Sequence, residues 1–366
     1  MTRVLLVLLL LLPLPARSEP RFALREGLRC AHCHVNRTGG GMRTPYGATF
    51  AQSSLPTFRV MGAFDPRLGE SVSYGANLRL RSTTRLAAST SIGGSTWSTT
   101  TQSSFEIPEG NLYIRADPLP DHLTLYFDET VAPEGASARE AFVMLHGLPL
   151  GGYLKAGRIL LPYGLRLPDD TAFIRQETGF TYANQDLGVE LGIGRRDFAL
   201  SVAVSNGSLG GSDPNVEKQV TAQAEYVAPW LRAGASFAWN DTSSAELPFE
   251  TMTAGGHLGV RLGRLVALAE VDWIHGASNA DSYDSLALYT EADFEAVKGL
   301  HLRFVFEAFD PLLSLDENTR DRFVGGVSWM PIELFEIRAE VRINRDIPQR
   351  VEGNADEVLV EIHGFL

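Results

Sequence analysis

The chain has 366 residues, and its 44 Asp and Glu outweigh 32 Lys and Arg to give a formal charge of −12. Charges of both signs are mixed along the chain without a basic block, which disfavours nucleic acid as a partner. Beyond the N-terminus, apolar runs stay shorter than the about 18 residues of a helical membrane span.

The N-terminus predicts a secretory signal peptide over residues 1–18. Arg3 forms a short basic region, residues 4–12 are apolar, and Ala16 and Ser18 are the small residues of a cleavage site. The alternative is a membrane anchor, but the apolar run is shorter than the about 20 residues needed to span a bilayer. Cleavage after Ser18 places the mature chain in an exported, oxidising compartment.

The motif CAHCH holds the only two cysteines of the chain, Cys30 and Cys33, followed by His34. Its C-x-x-C-H spacing is typical of covalent haem c attachment, in which two thiols add to the two vinyl groups of one haem and the histidine binds the iron. A plain disulfide, a redox-active pair and a zinc site are the alternatives. A redox-active pair favours a βαβ context that is missing here, and the four side chains are too crowded for tetrahedral zinc.

Met42, eight residues beyond His34, is predicted as the second axial ligand of the iron, so the predicted metal ligands are His34 and Met42. A thioether ligand raises the reduction potential relative to histidine. His32 and Met61 are weaker candidates. Histidines of the predicted barrel could also point inward, but each is more simply explained as a polar residue of the lumen: His122, His146, His257, His275, His301 and His363.

Three consecutive glycines, 39–41, follow the motif. They predict either a tight turn or a close approach of the backbone to the porphyrin, because glycine has no side chain to clash. Arg37 and Arg43 are expected either to pair with haem propionates or to lie on the surface. Residues 19–70 are too few for a complete ordinary cytochrome, so this haem segment is predicted to be a plug or cap that borrows cover from the rest of the chain.

From residue 71 to the end, apolar residues recur with a period of two, which predicts β-strands. In FEIRAEVRIN, 335–344, five apolar residues alternate with charged and polar ones. About 16 such segments of about 10 residues predict a transmembrane antiparallel β-barrel over 71–366. The predicted strands begin near residues 71, 107, 122, 139, 152, 186, 197, 218, 231, 253, 265, 286, 300, 322, 333 and 356.

The connections alternate between tight turns, as at Gly263-Arg264 and 297–299, and long polar loops, as at 91–104, 205–215 and 311–321. This asymmetry is typical of outer-membrane barrels. A soluble β-sandwich also alternates, but about 16 strands are many for one sandwich. Alternation alone does not distinguish a lumen from solvent.

Three stretches resemble known proteins. DEVLVEIHGFL, at the end, resembles the terminal strand of bacterial outer-membrane proteins, although Phe365 is penultimate. CAHCHVNRTGGGMRTPYG resembles a short monohaem segment of exported proteins from metal- and mineral-associated bacteria, and GRILLPYGLRLPDD, 157–170, resembles a porin motif that leads inward. Together they look like a cytochrome-fused outer-membrane porin, related in concept to porin–cytochrome conduits, in which a barrel sheathes a separate multihaem cytochrome.

This resemblance implies electron transfer at or across the cell outer membrane, with membrane lipid and periplasmic or extracellular cytochromes as partners. One haem cannot bridge an apolar band of about 25 Å alone, so the haem is expected at one barrel mouth. The alternative is a diffusion porin whose haem segment is a structural or redox-responsive plug. A small haem enzyme is disfavoured, and no catalytic residue is predicted, since no acid/base pair lies near the motif in sequence.

Overall fold

The computed structural model describes residues 19–133, 135–211, 213, 215–242, 249–278 and 281–366. The predicted signal peptide lies outside the described residues. Sixteen strands form one closed antiparallel barrel, and a separate hairpin, β2–β3, lies between the first two barrel strands. The bounds are β1 Val72–Arg85, β2 Ser89–Ile92, β3 Ser95–Ser98, β4 Gln102–Leu119, β5 Leu123–Ala132, β6 Ser137–Leu148, β7 Gly152–Ile159, β8 Asp186–Arg195, β9 Phe198–Ser205, β10 Gln219–Ala228, β11 Leu231–Asp241, β12 Phe249–Leu262, β13 Leu265–Ser278, β14 Ser282–Val297, β15 Leu300–Asp310, β16 Arg320–Trp329, β17 Phe335–Arg345 and β18 Glu357–Phe365.

The barrel closes because β1 pairs with β4 on one side and with β18 on the other. Asn77 lies opposite Phe365 at one end of this seam, and Arg85 lies opposite Glu357 at the other. The predicted antiparallel barrel and its strand number are therefore confirmed. None of the described helices is long and apolar enough to traverse a bilayer.

In the barrel strands, charged side chains are buried and apolar side chains are exposed, which is the reverse of the pattern in a soluble protein. In β17 the charged side chains Glu336, Arg338, Glu340 and Arg342 are buried, whereas the alternating apolar ones are more exposed, with Val341 47% exposed. An apolar band facing water would forfeit about 25 cal/mol per Å² of its area, so the outer face suits hydrocarbon. This inversion excludes the soluble sandwich, which alternation alone did not.

The two rims differ as the connections predict. We call the rim with the connections 120–122, 149–151, 196–197, 229–230, 263–264, 298–299 and 330–334 the short-turn rim, and the opposite one the long-loop rim. The longest connection, 160–185, contains α4 (Phe173–Gln176) and folds into the lumen. Tyr163 stacks on Phe180 at 4.2 Å and donates a hydrogen bond to Asp272 of β13 at 2.8 Å. The porin-like stretch 157–170 thus leads inward, as predicted.

Residues 19–57 lie inside the barrel at the short-turn rim. They contain three short helices, α1 Pro20–Glu26, α2 Cys30–Cys33 and α3 Pro45–Ser53. Arg25 of α1 pairs with Asp293 of β14 at 2.9 Å, and Thr57 N–H donates to the carbonyl of Met330 at 2.8 Å. Phe365, at the end of β18, packs with Phe22 and Leu55 of this segment instead of facing outward.

Candidate functional site

The CAHCH motif folds as one helical turn followed by a hairpin. Cys30 and Cys33 bound α2, and His34 directly follows. His34 then pairs with Arg43 in an antiparallel bridge, and the Val35 N–H donates to the Met42 carbonyl at 3.0 Å. The glycine triplet turns the chain between these two short extended pieces. The backbone of His34 is therefore held between the helical turn of α2 and the hairpin that follows it.

His34 has one engaged and one free ring nitrogen. The side chain is 2% exposed, and its Nδ1 lies 3.3 Å from the Gly41 carbonyl oxygen, to which it donates. Among the described residues, no group hydrogen-bonds the buried Nε2. Burial first, and then Arg43, lowers the pKa of His34 to about 3. A neutral imidazole oriented by a carbonyl, with its second nitrogen free, is the form that binds metals.

Both cysteines are free thiols. Cys30 is partly exposed and its Sγ accepts from Arg232 Nη2 at 3.2 Å, whereas Cys33 is 9% exposed. Burial raises the pKa of the Cys33 thiol to about 11 despite the opposing effect of Arg43. In the described part of the chain, His, Cys, Asp and Glu side chains form no group of three or more arranged around one metal ion. The motif offers two free thiols and one free imidazole nitrogen, the groups that covalent haem attachment uses.

A cavity of about 300 Å³ lies beside His34 at the short-turn rim. The barrel contributes side chains from β4, β5 and β6, and the N-terminal segment contributes the rest. The lining residues are Arg29, Ala31, His32, His34, Val35, Arg37, Thr44, Arg115, Thr124, Met144 and His146. Three arginines make it suitable for a group with carboxylates. Arg37 is part of this lining.

Met42 and Arg43 lie elsewhere. Met42 is not among the residues that line the cavity beside His34. It is 3% exposed and packs in one cluster with Val35, Tyr113 and Tyr126. The Arg43 guanidinium lies 5.0 Å above the Phe365 ring and is buried. The structure therefore does not bring Met42 to the cavity beside His34.

The glycine triplet forms a turn and lies close to Tyr182 of the connection 160–185 and to Tyr126 of β5. All three residues have positive φ, and Gly40 has φ +84°. A Cβ on Gly40 would lie 2.8 Å from Cε1 of Tyr182, and one on Gly41 would collide with the Tyr126 hydroxyl. Tyr126 also accepts the Met42 N–H at 2.9 Å. The turn alternative thus accounts for these glycines.

The lumen around this segment is packed. Lys155 Nζ and Glu190 Oε2 are 2.7 Å apart and both side chains are fully buried. Asp272 and Asp293 are equally buried although they face the lumen. Asn36 of the segment donates to Glu140 of β6 at 2.9 Å. Side chains that line a wide water-filled pore would be exposed, so at this level the barrel interior is packed like a polar core.

The sequence identifies His146 only as one of several inward-facing barrel histidines, since nothing in its local sequence separates it from them, and it does not single out Thr124. The approach of His146 to the CAHCH motif depends on which strands surround the N-terminal segment, a consequence of barrel closure.

Comparisons with known proteins place the fold. Neither a protein-family model nor a curated protein sequence matches this chain. The anion-selective porin from Comamonas acidovorans superposes with a TM-score of 0.61 at 10% identity, over 80% of this chain and 99% of that one. In-vitro folded OmpT, an outer membrane protein of Vibrio cholerae, gives 0.60 at 9% identity, over 83% and 100%. Salmonella typhi OmpF in complex with daunomycin gives 0.58 at 10% identity, over 81% and 98%. At these identities the likeness concerns architecture, and the architecture of this chain is that of a porin-like sixteen-stranded barrel.

Proposed function

We propose that this chain is an outer-membrane protein whose packed barrel holds one covalent c-type haem at its short-turn mouth and exchanges electrons with partner cytochromes. The observation that carries this proposal is His34, which is buried, is oriented through Nδ1 and keeps Nε2 free directly after two free thiols. Cys30 and Cys33 would hold the haem through thioethers, and His34 would bind its iron. When bound, the haem supplies one-electron redox chemistry.

The location favours exchange with a soluble partner on one side. Short turns of outer-membrane barrels face the periplasm, so the cavity beside His34 opens toward that compartment. The apolar outer face anchors the chain in lipid, and the packed lumen fixes the N-terminal segment within it. The barrel then holds a redox group in a fixed position at the membrane, and periplasmic cytochromes supply or accept electrons at the short-turn rim.

Diffusion of solutes is the second candidate function. At the long-loop rim, a cavity of about 390 Å³ has a strongly charged lining that suits the entry of small polar solutes. Seven arginines and five acidic residues line it: Arg81, Arg85, Arg320, Arg322, Arg342, Arg345, Arg350, Glu106, Asp321, Asp346, Glu352 and Glu357. The packed lumen below weighs against a continuous path while the N-terminal segment is seated. Conduction would require that segment to leave.

Haem attachment is tested on protein purified from membranes of a host that matures c-type cytochromes. We expect a pyridine haemochrome spectrum of a doubly thioether-linked haem and an intact mass increased by one haem. Cys30→Ser combined with Cys33→Ser abolishes both signals without changing the heat-dependent gel mobility of the folded barrel. A colourless protein with Cys30 bonded to Cys33 would show that the haem proposal is wrong.

Two histidines form a matched pair for the electron-transfer test. His34 is buried, whereas His122 is exposed, does not line the cavity and contacts only the Pro120 carbonyl through its ring in the described hydrogen bonds. In proteoliposomes, we expect His34→Ala to slow electron exchange with a reduced soluble cytochrome c at least tenfold, and His122→Ala to leave it within twofold. Equal rates for both variants, or solute flux through the unaltered protein without any electron exchange, would favour the diffusion alternative.

A further inference from the structure

The outer face of the barrel carries an apolar groove of about 700 Å³ between β12 and β17. Small side chains form its floor on the paired strands β13 and β14. Residues that alternate with them, such as Val266 and Leu268, are buried toward the lumen, so the floor faces the membrane. The floor residues are Ala267, Ala269, Thr290 and Ala292.

Larger side chains stand on both sides of this floor. The register places Leu258 and Val260 of β12 beside β13, and it places Phe304 and Phe306 of β15 beside β14, with Phe304 63% exposed. The difference in side-chain size between neighbouring strands makes a trough that follows β13 and β14 toward the short-turn rim.

The polar atoms that touch the groove already have partners. The Thr290 hydroxyl donates to the Phe306 carbonyl at 3.2 Å, and the Glu291 carboxylate pairs with Arg303 at 3.0 Å. An unfilled apolar groove forfeits dispersion contacts along its lining, and apolar walls give water no hydrogen-bond partner. The groove therefore fits a hydrocarbon chain.

Two cationic side chains lie where the trough reaches the short-turn rim. Arg264 directly precedes β13, and its Nη1 donates to the carbonyl of Ala296, near the end of β14, at 3.0 Å. Lys298 directly follows β14, and its Nζ donates to the Ser53 carbonyl at 3.0 Å. Both side chains are exposed, and among the described ion pairs none joins either of them to a carboxylate. Unpaired cations in this position suit the oxygens of a phosphate group.

Trp329 marks the level of these cations relative to the membrane. It lies opposite Leu300, two residues beyond Lys298, and is 38% exposed. Its Nε1–H donates to Thr57 Oγ1 at 3.1 Å. Tryptophan is enriched at the membrane–water interface because its ring is apolar and its N–H is polar. Since short turns face the periplasm, the cations lie at the level of the lipid headgroups in the periplasmic leaflet.

We propose that this groove binds one anionic phospholipid of the periplasmic leaflet, with an acyl chain along the floor and the phosphate against Arg264 and Lys298. A second copy of this chain would fill the apolar part, but it matches the two cations only if it also brings an acidic side chain to the interface. One phospholipid accounts for both features. The proposal requires a barrel in the outer membrane and does not depend on the haem.

The experiment counts bound lipid by native mass spectrometry of full-length protein in detergent. The probes are phosphatidylglycerol and phosphatidylcholine with identical acyl chains. We expect one phosphatidylglycerol to bind at least fivefold more tightly than phosphatidylcholine. Arg264→Ala combined with Lys298→Ala removes this preference. Ala267→Phe combined with Ala292→Phe fills the floor and weakens the binding of both lipids at least fivefold.

Two variants serve as matched controls, and both should leave lipid binding within twofold. Arg196→Ala removes an exposed cation from another turn of the same rim, and Ala339→Phe adds a ring to an exposed position of β17 outside the groove. Heat-dependent gel mobility verifies that each variant is folded. If the phenylalanine double variant does not fold, the Arg264 and Lys298 double variant decides alone, since both of its side chains are exposed.

Three outcomes overturn the proposal. The first is equal affinity of the unaltered protein for the two lipids, and the second is a preference that survives the loss of both cations. The third is a phenylalanine double variant that changes the oligomeric mass but not lipid binding, which would make the groove a contact between copies of the chain. Because the assay measures lipid alone, protein without haem gives the same result, so failure of the haem proposal remains distinguishable.

Discussion

Asp293 holds the N-terminal segment in the barrel, and its removal should release that segment. Asp293 of β14 is fully buried between two arginines of α1: Oδ2 is 3.2 Å from Arg21 and Oδ1 is 2.9 Å from Arg25. His301 also contacts Oδ1 at 2.9 Å. Asp293→Ala therefore removes a carboxylate of the barrel wall that pairs with the buried Arg21 and Arg25.

The expected cost follows from the partners that remain. Removing one member of a buried ion pair costs about 3–5 kcal/mol. Arg25 keeps Glu295 at 2.9 Å, and Arg21 keeps Glu19, so we take the lower end, about 3 kcal/mol. Since about 1.4 kcal/mol corresponds to a tenfold change, the population with an unseated segment rises on the order of 100-fold.

Two assays measure this release. We expect protease to cut the segment of Asp293→Ala faster in proportion to that population, and planar-bilayer recordings to show openings that the unaltered protein lacks. Asp284→Ala is the matched control, because Asp284 lies on the same strand, is 46% exposed and pairs only at the surface with His275 at 2.8 Å in the described ion pairs. Surface pairs contribute about 0–1 kcal/mol. If Asp293→Ala folds, resists protease and shows no channel openings, like Asp284→Ala, the anchoring role of Asp293 is refuted.

Two further predictions concern the glycine turn and the inward loop. Gly40→Ala should also loosen the segment, by more than the about 1 kcal/mol of left-handed strain, because its Cβ meets Tyr182 at 2.8 Å. Gly94→Ala has the same strain at φ +83° but open space around it, so equal protease sensitivity in both would contradict the packing argument. Burial favours a raised pKa for Asp169, but Arg342 and Arg322 outweigh it and hold the pKa well below the usual range. Its contribution to stability is thus fully present above about pH 4 and is lost only as pH falls through the lowered pKa. The difference in melting temperature between unaltered protein and Asp169→Asn should be constant from about pH 7 to about pH 4 and shrink in stronger acid; a difference that already vanishes at about pH 5 would contradict this.

The barrel was predictable because a strand pattern is local. Five apolar residues alternating with Glu336, Arg338, Glu340 and Arg342 identify a two-faced strand without knowledge of its neighbours. The same sequence does not show which face of the strand points outward, since charged side chains can face either a polar lumen or solvent. Burial in the closed barrel decides this, because closure is a property of all sixteen strands together.

The site was predictable only as far as its contiguous part. CAHCH identified two thiols and His34 because the motif is short and its chemistry fixes its spacing. Met42 was predicted for its nearness in sequence, and the structure does not place it among the residues that line the cavity beside His34. His146 approaches from more than a hundred residues away, through the pairing order of β4, β5 and β6.

The burial of Cys33 within the folded N-terminal segment would impose an order on maturation. Joining a porphyrin to CAHCH requires both sulfurs to be accessible, yet Cys33 is 9% exposed once this segment has folded. For a chain that receives a haem, the cofactor would therefore be installed on the newly exported peptide, before the segment folds. Barrel assembly would then have to accept a substrate whose first folded part already carries its iron.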